Sequence, residues 1–365
     1  MRYRPELDGL RAVAVLAVIA YHSGLPLAAG GWMGVDVFFV LSGYLITSLL
    51  LAEHDRTGGV SLQRFYARRM LRLYPALMLL CLGGAAFWWV LSPDGSFAGY
   101  AWSALAALLY VGDFVIGFRG SVLGGLGHTW SLAVEEQFYL LWPVALLVML
   151  RAHARVLRWT VLLTAVCFAT LAVSSFFLGP DHDVDYAYFL PWSRFATILL
   201  GCTVALLLHR GVRVRFLERG ATAWAAVGVA IGVTVVAGYL YKQPNFAWEA
   251  PLVALAAAAL VWNLTTTARS VLKTALGVPP LTWLGRRSYG VYLYHFPIVL
   301  IVGENAAAWH LNRTEYAAIV LFGSVIIAAT SYRFVERPLL RLKASIGRPR
   351  PVAPAVPPVG VASAE

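Results

Sequence analysis

The chain has 365 residues, of which 60% are hydrophobic and 13 are tryptophan, which is more apolar surface than a soluble domain of this length can bury. This composition predicts a polytopic membrane protein. The formal net charge of +11 comes from basic residues in short clusters between apolar runs, as the positive-inside rule requires, and this distribution argues against nucleic acid as a partner.

Eleven apolar segments follow one another along the chain, and each is long enough to approach or cross a bilayer as a helix. They lie at 7–25, 35–52, 70–91, 98–117, 130–150, 158–178, 193–208, 222–241, 251–264, 288–303 and 316–333. Basic loops at 64–72 and 151–158 are expected in the cytoplasm, and an even number of crossings must connect them. Because three segments lie between these loops, one of the three does not span.

The segment 98–117 is the one that we expect not to span and to be either re-entrant or interfacial, since Asp113 interrupts it and a glycine-rich stretch follows. About ten transmembrane helices then remain, with both termini in the cytoplasm, and the predicted fold is an all-α membrane bundle. Residues 1–343 form this membrane domain. Residues 344–365 are rich in proline and alanine, lack periodicity and are predicted to be a disordered cytoplasmic tail.

Two ionisable residues, Arg11 and His22, lie in the first apolar segment, where a charge is costly and usually functional. A separation of 11 residues at about 100° each returns nearly to the same azimuth. Both side chains therefore lie on one helix face, roughly 16 Å apart along the axis. The same positions would also suit a headgroup anchor at Arg11 and an interfacial histidine at His22.

The chain carries polar motifs in a defined order, at residues 4–22, 34–44, 64–75 and 128–139. Their order and their residues resemble the motifs of the acyltransferase-3 family of bacterial integral-membrane O-acyltransferases. The resemblance extends from Arg4 to about Pro338. The family's Arg-x10-His signature falls on Arg11 and His22. Its Arg-x-x-Arg signature falls on residues 69 and 72.

This resemblance implies transfer of an acyl group, most often acetyl from acetyl-CoA, to a hydroxyl of a surface glycan, a lipid-linked saccharide or a related acceptor at the bacterial inner membrane. The partners would be membrane lipid and a carbohydrate. Some relatives carry a fused extracytoplasmic domain that receives the acyl group. We expect none here, which leaves open direct transfer and a separate extracytoplasmic acyl-accepting protein.

The basic and histidine side chains fit such a transfer. Arg69 and Arg72 stand one helical turn apart at the cytoplasmic start of the third segment, and with Arg11 they suit the phosphates of coenzyme A. The alternative is that they only determine topology. His22 is placed in the outer half of the membrane, where it can take the proton of an acceptor hydroxyl as general base. An acyl-enzyme relay through a side chain stays open.

A third group of polar residues is expected to support the base or the acyl donor. Glu135 lies on a polar stripe of the fifth segment and is a candidate to orient His22, whereas an interfacial role would leave it inert. Asp36 opens the second segment and is the alternative partner, although an acid is favoured at any helix N-terminus. Another set, at i, i+4 and i+7 of the segment ending in His-Phe-Pro, is expected to line the acyl-CoA path: Ser288, Tyr292 and His295.

His295 equally suits a packing role, and the remaining histidines, His128 among them, are expected to be bystanders. The sequence has no zinc-type pair of histidines, so no metal is expected. The rival to an acyltransferase is a transporter or flippase whose buried charges form a polar path without covalent chemistry.

Overall fold

The computed structural model describes residues 3–91, 97–119, 123–177, 186–239 and 246–346. These residues form α-helices joined by turns and short 3-10 segments, and the described ranges contain no β-strand. The helices are α1 (Pro5–His22), α2 (Gly34–Thr57), α3 (Leu62–Leu91), α4 (Phe97–Leu108), α5 (Gly112–Arg119), α6 (Trp130–Arg151), α7 (Val156–Phe177), α8 (Tyr186–Phe189), α9 (Pro191–His209), α10 (Gly220–Tyr239), α11 (Phe246–Thr266), α12 (Val271–Leu276), α13 (Pro279–Arg286), α14 (Ser288–Asn305), α15 (Arg313–Ser331) and α16 (Arg337–Ile346).

The predicted all-α polytopic bundle is confirmed, and each of the 11 apolar segments contains helix in its described residues. Within the described ranges, 7 helices are long and apolar enough to cross a membrane, or 8 if one bent pair is a single span, against about ten expected. The helices α1 and α14 are not among them. The reason is chemical, since α1 carries Glu6, Asp8 and Arg11, and α14 begins with tyrosines and a histidine.

The segment predicted to be re-entrant is sharply bent. It forms α4 and α5, which meet at an angle of 118°, the geometry of a broken span or a re-entrant loop. Tyr110 lies at the break with a left-handed φ of 54°. Asp113, which suggested the interruption, is buried and accepts hydrogen bonds from Nε2 of Gln137 at 2.9 and 3.1 Å. The carboxylate is thus satisfied within the protein.

The described chain is helical past residue 343, and the division into a membrane domain and a tail stays a prediction. A π-helical turn, Tyr332–Glu336, links α15 to α16, and α16 runs to Ile346 rather than ending at residue 343. The rest of the predicted tail, residues 347–365, lies outside the described residues.

Glycine residues allow the backbones of neighbouring helices to come into close contact. A Cβ atom at Gly43 of α2 would overlap the carbonyl oxygen of Ile198 in α9, and one at Gly201 would overlap that of Val40. Small residues at such crossings let membrane helices approach closely enough for extensive van der Waals contact. The α2–α9 contact therefore has no room for a larger residue at either glycine.

We predict that Gly43→Ala lowers the free energy of unfolding by about 1–3 kcal/mol, because the added methyl group meets backbone atoms that cannot move aside. The measurement is reversible unfolding in detergent. Gly232→Ala in α10 is the matched control, since a Cβ there has no neighbour within 4 Å. Equal stability of the two variants would contradict the close α2–α9 contact.

Candidate active site

The site begins with two contacts between α1 and α14. Nε of Arg11 donates to Oγ of Ser288 at 3.2 Å, and Nδ1 of His22 lies 3.3 Å from Nε2 of His295. Arg11 precedes His22 and Ser288 precedes His295, so the two helices run in the same direction. His22, which was predicted as the base, therefore lies next to His295, which was predicted to line the donor path.

The imidazole of His22 is half-buried at the end of α1. Its Nδ1 also lies 3.0 Å from the carbonyl oxygen of Val18, one turn back in the same helix. The ring packs against Tyr21, with centroids 4.9 Å apart, and against Phe296 at 5.2 Å. These contacts surround one edge of the ring and hold its position.

His128, which was expected to be a bystander, lies beside His295 with ring centroids 5.4 Å apart. Its Nε2 donates to the carbonyl oxygen of Leu293 at 2.9 Å. This carbonyl lacks its usual helical donor because Pro297, four residues on, has no N–H. The sequence signal for this contact is the proline, although periodicity does not say which side chain replaces the missing donor. In the described residues, no group of three or more His, Cys, Asp or Glu could hold a metal ion.

The contacts that the structure shows for Asp36 are with α9 and not with His22, and Asp36 as the alternative partner of His22 stays a prediction. Oδ1 of Asp36 instead accepts from Nη2 of Arg194 in α9 at 2.7 Å, and both side chains are fully buried. The guanidinium carbon of Arg194 also lies 4.6 Å from the centre of the Tyr188 ring. A buried carboxylate requires a partner of opposite charge, and the helix face that carries Asp36 packs on α9 rather than α1.

Glu135 also lies away from His22. Its Oε1 accepts hydrogen bonds from Oγ of Ser42 and from Oη of Tyr139, the latter at 2.9 Å. Ser131, from the same predicted polar stripe, bonds instead to Oη of Tyr292 at 2.6 Å. The stripe therefore connects α6 to α2 and to α14, and no carboxylate in it reaches the histidine.

The predicted pair Arg69 and Arg72 is divided between two environments. Nε of Arg69 donates to Oε1 of Glu136 at 3.0 Å, and its guanidinium carbon lies 3.2 Å from the centre of the Tyr139 ring. Arg72 is exposed to a cavity and lies close to Arg11 and Arg69. Arg69 thus joins α3 to α6, and Arg72 is the member of the pair that faces open space.

This cavity has a volume of about 210 Å³. Three arginines line it, together with residues of α14, α15 and the π-helical turn; the full lining is Arg72, Arg286, Arg287, Tyr289, Gly290, Ala328, Tyr332, Glu336 and Leu340. The guanidinium carbon of Arg287 lies 4.1 Å from the centre of the Trp283 ring and 4.8 Å from that of Tyr332. The sequence analysis gave no role to Arg286 and Arg287, so it missed that they line the same cavity as Arg72.

We predict that Asp36→Ala lowers the free energy of unfolding by about 3–5 kcal/mol, because it leaves the Arg194 guanidinium buried without its carboxylate. Thermal unfolding in detergent measures the effect. Asp55→Ala, which removes an acid 55% exposed on the same helix, is the matched control and should change little. A folded, fully stable Asp36→Ala variant would contradict the structural role of the pair.

Comparison with known proteins extends over nearly the whole chain. The acyltransferase domain family matches residues 4–333. The chain is 31% identical over 351 residues to the O-acetyltransferase OatA of Staphylococcus aureus, and 32% identical over 355 residues to the peptidoglycan O-acetyltransferase OatA of Listeria monocytogenes. It is 33% identical over 358 residues to the putative peptidoglycan O-acetyltransferase YrhL of Bacillus subtilis.

Each of these alignments covers 93% of this chain and 55–57% of the relative, so the chain spans a little over half the length of the relatives that it matches. No solved structure is similar. The match to the family agrees with the order of the polar motifs and with the helical bundle that carries them. The chain is a multi-pass membrane protein that belongs to the acyltransferase-3 family.

Proposed function

We propose that this chain is a membrane O-acyltransferase that moves an acyl group, in the first instance acetyl, from acyl-CoA to a hydroxyl of a cell-envelope glycan. The observation that carries the proposal is the pairing of α1 with α14, which joins a cavity lined by arginines to a histidine. Arg11 and Ser288 meet near one end of this pair, and His22 and His295 meet near the other. The end near the arginine cavity suits binding of the acyl donor, and the end with His22 suits activation of the acceptor hydroxyl.

The donor would bind by its phosphates at the cavity of Arg72, Arg286 and Arg287. Guanidinium groups present several N–H donors in a planar fork that matches phosphate oxygens, and they stay charged at all physiological pH values. A cavity of about 210 Å³ suits phosphate groups rather than a whole coenzyme A molecule. In this proposal Arg286 and Arg287 take the place assigned earlier to Arg69, since Arg69 is already paired with Glu136.

His22 would act as general base on the acceptor. The hydroxyl oxygen attacks the thioester carbonyl carbon while the hydroxyl proton passes to Nε2 of His22, which makes no hydrogen bond with the described residues. Collapse of the tetrahedral adduct breaks the carbon–sulfur bond, and the same proton returns to the leaving thiolate. Arg11, Ser288 and Tyr292 line or brace the route between the two ends rather than react.

The acceptor proposed first is the glycan of peptidoglycan, because two of the relatives reported above are named for that substrate. Lipid-linked saccharides carry the same hydroxyl chemistry and are the alternative. Direct transfer needs only this chain, whereas indirect transfer would need a separate extracytoplasmic acyl-accepting protein. In either form the arginine cavity faces the cytoplasm of the inner membrane, with both termini on that side.

We predict that the purified protein in nanodiscs releases coenzyme A from acetyl-CoA when isolated peptidoglycan glycans are added, and that His22→Ala reduces this release by about a hundredfold or more. Mass spectrometry of the glycan identifies the acetylated hydroxyl. His209→Ala is the matched control, because His209 is 39% exposed at the end of α9. Movement of an unmodified glycan without thiol release would instead favour the transporter.

We predict that Arg72→Ala raises the KM for acetyl-CoA by roughly tenfold to a hundredfold with a smaller change in kcat, since each lost charge-assisted hydrogen bond is worth about 1.5–3 kcal/mol. Arg287→Ala should act in the same direction. Arg64→Ala, an exposed arginine of the same helix α3, is the control for a general loss of positive charge. An unchanged KM in both cavity variants would place the donor elsewhere.

A further inference from the structure

We infer that His295 is the positioning residue of His22, and that its contact with Nδ1 of His22 holds that imidazole in the tautomer whose Nε2 is free to take a proton. This inference rests on the proposed function, in which His22 is the general base. It gives His295 a role that differs from lining the donor path or filling space in the core.

The tautomer of His295 follows from its own helix. Its Nδ1 lies against the carbonyl oxygen of Tyr292, and a carbonyl oxygen can only accept a hydrogen bond. Nδ1 of His295 therefore carries the hydrogen. In a neutral imidazole the other nitrogen, Nε2, then has a lone pair and acts as an acceptor.

The tautomer of His22 follows in turn. Its Nδ1 has two neighbours, the Val18 carbonyl oxygen at 3.0 Å and Nε2 of His295 at 3.3 Å. Since both neighbours are acceptors, Nδ1 of His22 must donate and carries the hydrogen. Nε2 of His22 is left with its lone pair, and because the residue is only half-buried an acceptor hydroxyl has room to approach it.

His295 is held firmly enough to serve this purpose. Its side chain is fully buried, and the His128 ring packs 5.4 Å from it. His128 is in turn fixed by its bond to the Leu293 carbonyl oxygen, the one left without a helical donor by Pro297. The proline in the His-Phe-Pro sequence thus supports the histidine that precedes it by two residues.

Through this contact His295 accepts the hydrogen bond from the catalytic histidine that a carboxylate accepts in other active sites with a general base. When Nε2 of His22 takes the proton, its Nδ1–H becomes a stronger donor, and the lone pair of His295 accepts that bond. Asp36 and Glu135, the acids expected in this place, are bound to Arg194 and to Ser42. A neutral imidazole orients the base without bringing a further charge to it.

Two substitutions separate positioning from packing. His295→Gln keeps an acceptor oxygen near the position of Nε2, whereas His295→Leu keeps the bulk and removes the acceptor. We expect His295→Leu to lower kcat by roughly a hundredfold with little change in the KM for acetyl-CoA, and His295→Gln to recover most of that loss. His209→Leu is the matched control for loss of a histidine. Equal loss in the Gln and Leu variants would overturn the inference.

A spectroscopic measurement tests the inference without any turnover. In 15N-histidine-labelled protein in nanodiscs, with the His22 signals assigned by their absence in His22→Ala, we expect one protonated and one unprotonated ring nitrogen, with the hydrogen on Nδ1. In His295→Leu, which leaves the Val18 carbonyl oxygen as the one remaining acceptor among the two neighbours of Nδ1, the two shifts should move partway towards each other as the other tautomer becomes populated. A hydrogen found on Nε2 of His22 in the wild type would overturn the inference, whereas the expected spectrum with no thiol release would overturn only the proposed acyltransferase function.

Discussion

The register between α1 and α14 is the constraint on which the rest of the site depends. Two polar contacts set it, Arg11 with Ser288 and His22 with His295, and each joins side chains that would be costly to bury alone. Sliding either helix by one turn would break both contacts together. The arginine cavity and the histidine keep their separation because α14 lines the cavity with Tyr289 and Gly290 and contacts His22 through His295.

The buried carboxylates of the bundle are also paired with nearby donors. Asp36 is paired with Arg194, Glu136 is paired with Arg69, and Glu135 accepts from two hydroxyl donors. None is left to approach His22. The acids hold the bundle together, and the histidine is served instead by neutral groups, an imidazole nitrogen and a backbone carbonyl.

Hydrophobic periodicity predicted the helical segments, the shared face of Arg11 and His22, and the interruption near Asp113, because these properties depend on residues close together in the chain. Periodicity could not predict contacts between residues that lie far apart in the chain. The partner of Asp36 lies 158 residues away, and the donor to the Leu293 carbonyl lies 165 residues away. Helical spacing says which residues share a face, but not which helix that face meets. The stripe of Ser131, Glu135 and Tyr139 was recognised and its partner misassigned for this reason.

The low apolarity of α1 and α14 has a consequence for biosynthesis. Both helices fall short of an independent membrane span, and they carry the proposed base and its positioning residue. A segment with buried charges inserts poorly by itself and is stabilised once neighbouring helices cover its polar face. Because α14 is synthesised after α1 and after the helices between them, their pairing must form once those helices have been made. Completion of the site is therefore a late event of membrane assembly.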